Sequence, residues 1–169
     1  MFKNTVFPTV SNKKDTSEVK HMLKEGDPVP NGIELPDQDG KIVKLDDLKG
    51  KTLIIYFYPK DLTPGCTTEA KNFQSNLDTY VKKGVKIIGI SKDSVASHRK
   101  FADKYGLKFT LLSDKEGKVA KIFGALDGES VKRRTWVIGI DWKIEKFYDK
   151  VSPANHNDEL CTEVLKIPK

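Results

Sequence analysis

The stretch that constrains this chain most runs from Leu53 to Val81. Leu53 to Tyr58 is an unbroken run of aliphatic, β-branched and aromatic residues, which predicts a buried strand. Pro59, Pro64 and Gly65 then punctuate the chain. Beyond them Ala70, Phe73, Leu77, Tyr80 and Val81 recur at spacings of three and four, which predicts one apolar helix face ending near Gly84.

Cys66 sits at this joint, where the strand has ended and the helix is starting. A helix start offers unpaired N–H groups and a partial positive charge, and both favour a thiolate over a thiol. A free cysteine titrates near 8.5, and helix N-termini or cationic neighbours lower this to about 3.5–7.5. The position therefore makes Cys66 a candidate for redox or covalent chemistry. A cysteine set in an apolar run would read instead as a small buried hydrophobe. Here the neighbours are Gly65, Thr67, Thr68 and Glu69, and a Pro/Gly-rich turn suits a backbone that approaches something closely.

The remaining pattern alternates strands and helices. Ile33–Leu35 and Ile42–Leu45 predict a small hairpin around Asp39-Gly40, and Asp46–Gly50 a helical turn closed by glycine. Val85–Ile90 is a second buried strand. Ser94 caps a helix carrying Phe101, Ala102 and Tyr105, with Gly106 ending it. Phe109–Leu112 is extended, Lys118–Phe123 a short helix, and Thr135–Ile140 with Ile144–Tyr148 a strand pair. Asn157–Lys166 is a closing helix. The fold class is α/β, with a central mixed sheet flanked by helices and an N-terminal hairpin: parallel where helices cross over, antiparallel at the last pair.

At 169 residues one domain is expected. Residues 1–24 read as a polar, lysine-rich extension, with a short helix over Ser17–Leu23, and residues 25–169 as the domain. The net charge of +6 divides as +3 over residues 1–24 (five lysines against Asp15 and Glu18), +1 over 25–131 and +2 over 132–169. No clustered basic patch is visible in the sequence, so a solvated surface is expected rather than nucleic-acid binding. No run reaches membrane-span length, and the chain shows no secretory h-region and no arginine before Arg99. Two distant cysteines, Cys66 and Cys161, make neither a disulfide framework nor a CxxC motif. A reducing intracellular compartment is expected, the cytoplasm first, with nucleus or organelle as alternatives. His21, His98 and His156 are scattered, and nothing in the sequence sets one beside Cys66 or gives metal-ligand spacing. Neither a metal nor a cofactor is expected.

With these residues in view the chain resembles a peroxiredoxin. Pro59-x-x-x-Thr63-x-x-Cys66 is similar to that family's active-site pattern, and Phe57 to Ala70 resembles its Q-type, or bacterioferritin-comigratory-protein, branch. Arg133-x-Thr135-Trp136 resembles the family's R-x-[ST]-F segment with tryptophan for phenylalanine. Lys150-Val151-x-Pro153-x-x-His156 resembles the branch's C-terminal stretch. The likeness begins near Glu25.

The resemblance implies a thioredoxin-like fold and a thiol peroxidase acting on hydrogen peroxide and alkyl hydroperoxides. Cys66 would attack the peroxide and become a sulfenic acid. Thr63 would face the sulfur and bond the peroxide. Arg133 would supply a permanent cation to thiolate and peroxide, with Arg134 sent the other way by strand alternation. Pro59 would shield the sulfur. Glu69, one turn after Cys66, would orient Arg133 or simply sit in a favourable first-turn position. Many members of the branch carry a resolving cysteine five residues after the first. Here that position is Lys71. Cys161, expected to face the core, is the one other thiol, so a one-cysteine cycle is expected. An outside thiol would complete it: thioredoxin, glutaredoxin or glutathione. Lys71 is either a source of positive charge near Cys66 or a surface lysine. A monomer or weak homodimer is expected. The alternative from another class is a thioredoxin-fold binding or chaperone-like protein without peroxidase activity.

Overall fold

The computed structural model describes residues 22–166. The expected extension and the helix over Ser17–Leu23 lie outside the described residues, apart from the last positions of each. Leu23 is buried, with its N–H on the Phe123 carbonyl at 2.9 Å and its own carbonyl accepting from Trp136 Nε1 at 2.8 Å. The packed chain therefore begins no later than Leu23.

Glu34–Pro36 (β1) and Ile42–Lys44 (β2) pair antiparallel, with Leu35 opposite Val43, and a 3-10 turn follows over Leu45–Leu48. Thr52–Phe57 (β3) is the centre of the molecule. Its successive side chains point to opposite faces, and both faces are covered, so the run carries no polar alternation. Leu53, Ile55 and Phe57 enter one core and Ile54, Tyr56 and Tyr58 the other.

The helix after β3 departs from expectation. It begins at Pro64 and ends at Ser75 (α1), and a second helix runs over Leu77–Lys82 (α2). Asn76 breaks them: its backbone leaves the helical region (φ −110°, ψ 11°) and its side-chain amide donates to the Asn72 carbonyl at 3.0 Å. The break resets the helical phase. Ala70, Phe73 and Tyr80 are buried as expected, but Val81 is turned outward, 63% exposed.

Val85–Ser91 (β4) lies parallel to β3, with Ile88 beside Ile55. Val95–Tyr105 (α3) is capped by the Ser94 hydroxyl, which accepts the Ser97 N–H at 3.1 Å, and ends at Gly106 in the left-handed region. Thr110–Ser113 (β5) adds a third parallel strand. Lys118–Phe123 (α4) is followed by a hairpin of two-residue strands that no sequence pattern predicts, Leu126–Asp127 (β6) with Ser130–Val131 (β7). Arg134–Ile138 (β8) runs antiparallel to β3, and Ile144–Tyr148 (β9) antiparallel to β8. His156–Glu163 (α5) closes the chain, ending three residues sooner than expected.

The sheet order is β5-β4-β3-β8-β9, a mixed sheet of the expected kind. α1, α2, α3 and α5 bury Phe73, Tyr80, Phe101 and Leu160 on one face. α4 with the Leu23–Ile33 segment covers the other. Among the described residues no helix is long and apolar enough to cross a membrane.

Candidate active site

The site is built at the C-terminal end of β3. Tyr58 continues the strand, donating its N–H to Ile90 at 3.1 Å, and Pro59 then lies exposed at the strand's end. The chain turns through Lys60, Asp61 and Leu62, the last with φ +66°. Thr63 is extended and stands at the N-cap of α1, with Pro64 in the first turn, where a missing N–H costs nothing. Its hydroxyl does not cap the helix. It donates to the Lys60 carbonyl at 2.8 Å, which leaves its oxygen lone pairs open and the first-turn N–H groups uncapped. Cys66 is the third residue of that helix, 1% exposed.

Arg133 reaches the sulfur from the residue just ahead of β8. Its Nη2 donates to Cys66 Sγ at 3.4 Å and its Nη1 to Glu69 Oε1 at 2.7 Å. One rigid guanidinium thus spans two side chains that successive helical turns stack on one face. Arg134 goes elsewhere, as alternation requires, to Asp149 Oδ1 at 2.6 Å and the Gly124 carbonyl. Gly65 makes room: a Cβ there would lie 3.2 Å from Arg133 Nη2 and 3.6 Å from Pro153 Cγ. Pro153 therefore walls the site. Asn72 holds that wall, with its amide 3.3 Å from the Pro153 carbonyl. Nothing local in the sequence reveals what Pro153 packs against; the resemblance marks it only as part of a C-terminal pattern.

Burial pushes the Glu69 carboxyl up to about 7, against the pull of Arg133, and its Oε2 has no hydrogen-bond partner. For Arg133 burial disfavours the charge, but Glu69 and then Cys66 outweigh it and hold the guanidinium above its ordinary value. Tyr56, beneath the site, is raised by burial first and then by the nearby Glu69 and Cys66. The sulfur thus stands 3.4 Å from a permanent cation, at the start of a helix.

The other expected residues fall as follows. Cys66 and Cys161 are both free thiols. Cys161 is half-buried against the α1-side core, its Sγ 3.8 Å from the Tyr80 hydroxyl. Lys71 sets its ammonium 5.7 Å from the centroid of the Tyr105 ring, the surface role rather than a charge at Cys66. His156 ties α5 to β8 through Thr135 Oγ1 at 2.8 Å, and His98 lies against Asp61; neither bonds Cys66. His21 is outside the described residues.

Basic residues distant in the chain also gather in space. Lys51, Lys83, Lys86 and Lys108 line a cavity of about 570 Å³ with Val81 and Ile140, at the opposite end of β3 from Cys66. Burial and then Lys51 push Lys86 below the ordinary lysine range, with Asp37 opposing.

Comparison with known proteins agrees with the geometry. Residues 26–147 match the AhpC/TSA family. The chain is 41% identical over 144 residues to peroxiredoxin Bcp of Escherichia coli K12, covering 80% of this chain and 92% of that one. The crystal structure of peroxidoxin BcpB from Mycobacterium tuberculosis superposes with a TM-score of 0.80 at 35% identity, over 88% of this chain and 100% of that one. A Xanthomonas campestris bacterioferritin comigratory protein, studied for alkyl peroxide reduction, superposes with a TM-score of 0.80 at 31% identity, over 84% and 98%.

Proposed function

The chain belongs to the AhpC/TSA family, in its peroxiredoxin Q (Bcp) branch, and is a thiol-dependent peroxidase; on that premise we propose that Cys66 is the sulfur that meets the peroxide. The observation that carries the assignment is the single guanidinium of Arg133 joining Cys66 Sγ at 3.4 Å to Glu69 at 2.7 Å.

The thiolate attacks one peroxide oxygen. An S–O bond forms, the O–O bond breaks, and sulfur gives up two electrons. The other oxygen leaves as alkoxide or hydroxide and takes a proton to become alcohol or water. Arg133 stabilises charge on sulfur and on the departing oxygen. The Thr63 oxygen, its proton committed to Lys60, accepts from the peroxide O–H, and the uncapped Cys66 N–H donates to the peroxide. Glu69 orients Arg133. Pro59 screens the rim of the site.

A one-cysteine cycle follows, since Lys71 stands where a resolving cysteine would be and Cys161 bonds Tyr80. One outside thiol displaces water from the sulfenic acid to give a mixed disulfide. A second thiol releases Cys66 and leaves as the oxidised disulfide. Thioredoxin, glutaredoxin and glutathione all fit that chemistry, and hydrogen peroxide and alkyl hydroperoxides are the substrates. The working unit is a monomer or weak homodimer in a reducing compartment, the cytoplasm first. Residues 1–24 are read as an extension to the domain, with Leu23 packed onto it.

Stopped-flow peroxide consumption by the wild type and Cys66→Ser tests the assignment. Consumption is lost with the sulfur, and a rate unchanged by the substitution overturns it. Mass spectrometry of the oxidised protein is expected to find sulfenic acid or a thiol adduct on Cys66. A Cys66–Cys161 bond would overturn the one-cysteine cycle.

A further inference from the structure

A second buried polar cluster lies on the other side of the active-site turn, away from Arg133. Asp61 stands two residues ahead of Thr63. Its N–H donates to Asp93 Oδ2 at 2.9 Å. Its Oδ1 accepts from the Tyr58 hydroxyl at 2.7 Å and its Oδ2 from the Ser97 hydroxyl at 2.8 Å. His98 Nδ1 lies 2.7 Å from that same Oδ2, and Nε2 lies 3.0 Å from the Leu112 carbonyl. Both ring nitrogens are thus engaged, each within hydrogen-bond distance of an oxygen. The two side chains are 1% and 0% exposed. Asp93 also accepts from Ser91 Oγ at 2.7 Å. The donor atoms of Asp61, Asp93 and His98 converge within 4.8 Å, and these bonds among themselves and their neighbours account for the convergence.

We propose that Asp61 and His98 are positioning residues that latch the Pro59–Thr63 turn onto α3 and the end of β4, and so hold the site in its peroxide-reactive form. The proposal rests on the reading of Cys66 as the reacting sulfur.

Leu62 explains why a latch is needed. It holds φ +66°, a conformation a leucine keeps only when its surroundings impose it. Its own side chain is 44% exposed and supplies little packing. The restraint comes from the two neighbours: Asp61, bonded to Tyr58, Asp93, Ser97 and His98, and Thr63, whose hydroxyl and carbonyl are both engaged.

The two halves of the cycle make opposite demands on that turn. Peroxide is small and reacts where Thr63, Arg133 and the first-turn amides converge, so its step needs the turn held. The sulfur is 1% exposed, so an outside thiol approaching the sulfenic acid needs the first turn of α1 to move. The latch therefore favours the peroxide step and opposes the thiol step. Weakening it slows the first and quickens the second; because general unfolding would also uncover the sulfur, the variants are compared only where their circular dichroism and urea midpoint show the fold intact, and a gain in the thiol step that appears only with unfolding overturns the latch.

Single-turnover stopped flow on the full chain separates the two steps. Reduced protein is mixed with hydrogen peroxide. Protein oxidised by one equivalent of peroxide is mixed with 2-nitro-5-thiobenzoate, whose absorbance falls as the mixed disulfide forms. Asp61→Asn and His98→Gln break the pair at similar size. Asp61→Ala with His98→Leu removes both partners together, so that neither is left buried and unpaired. Ser97→Ala removes one bond and keeps the Asp61–His98 contact. A peroxide rate constant lowered about tenfold, with a raised thiol rate constant, is expected for the pair variants, and smaller changes of the same signs for Ser97→Ala. Any other pattern overturns the latch: both constants unchanged, both lowered, or the peroxide step slowed with no gain in the thiol step. Cys66→Ser run alongside keeps the two failures apart, because peroxide consumption surviving that change sinks the Cys66 reading instead.

Discussion

Arg133 reaches Cys66 across 67 positions of sequence to set Nη2 3.4 Å from Sγ, while its other terminal nitrogen is fixed on Glu69. The planar fork decides the geometry. Holding Nη1 on Glu69 orients the guanidinium plane and brings Nη2 to the sulfur, which a flexible ammonium cannot imitate.

Arg133→Lys is accordingly not conservative here. Its peroxide rate constant is expected to fall by about 100-fold or more, the usual effect of removing one well-placed donor from a developing anion. Arg133→Met is expected to fall at least as far and also to lose stability, because the buried Glu69 carboxylate is left without a partner. Stopped-flow consumption of peroxide measures the first effect and urea unfolding the second. A lysine variant within a factor of two of wild type would remove the fork from the mechanism.

Glu69 makes stability depend on pH in a defined direction. Burial raises its carboxyl from 4.5 to about 7. Between those values the folded protein keeps a proton that the unfolded chain has released. The contribution is thus fully present below about 4.5 and is lost as pH rises through about 7, by roughly 3 kcal/mol. Glu69→Gln cannot titrate and is expected to flatten that part of the curve. Urea unfolding at about pH 5 and about pH 8 compares the two proteins. Equal pH dependence in both would place the titration elsewhere.

Gly65→Ala separates helix stability from chemistry. Gly65 lies in α1 with an ordinary helical backbone, where alanine is better by up to about 1 kcal/mol. Its Cβ would stand 3.2 Å from Arg133 Nη2, whose partner nitrogen is pinned to Glu69. The expected outcome is an unchanged or higher melting temperature with a peroxide rate constant about tenfold lower. Full activity would mean that the arginine yields without cost.

Trp136 accounts for the tryptophan where the family's pattern has phenylalanine. Its indole N–H donates to the Leu23 carbonyl at 2.8 Å and ties the incoming chain to the sheet. Trp136→Phe leaves that carbonyl buried without this donor, and a loss of about 1–3 kcal/mol is expected. Faster hydrogen exchange at the Leu23 N–H, now bonded to Phe123, is expected with it. Unfolding midpoints and exchange rates equal to wild type would show that the bond contributes nothing.

Much of the fold was legible because its signals are local. An apolar run such as Leu53–Tyr58 declares a buried strand by composition. Ser94 and Gly106 mark the ends of α3 by the hydrogen bonds and backbone angles that only such residues supply readily. The phase of α2 was misread because it depends on the break at Asn76, and an asparagine inside a periodic pattern does not announce one. The β6–β7 hairpin was missed because two-residue strands have no period to detect.

By itself the sequence determined that Cys66 begins a helix after a buried strand, and its resemblance to the peroxiredoxins picked out Thr63, Glu69 and Arg133 as candidates for that sulfur's neighbours. Only the tertiary structure decided that Pro153 walls that site, that Gly65 is the gap through which Arg133 reaches sulfur, and that Asp61 is bonded to His98. The reason is physical. Helix starts and strands are made by neighbours along the chain, whereas these contacts are between residues 37 to 88 positions apart, brought together by the packing of the sheet and its helices.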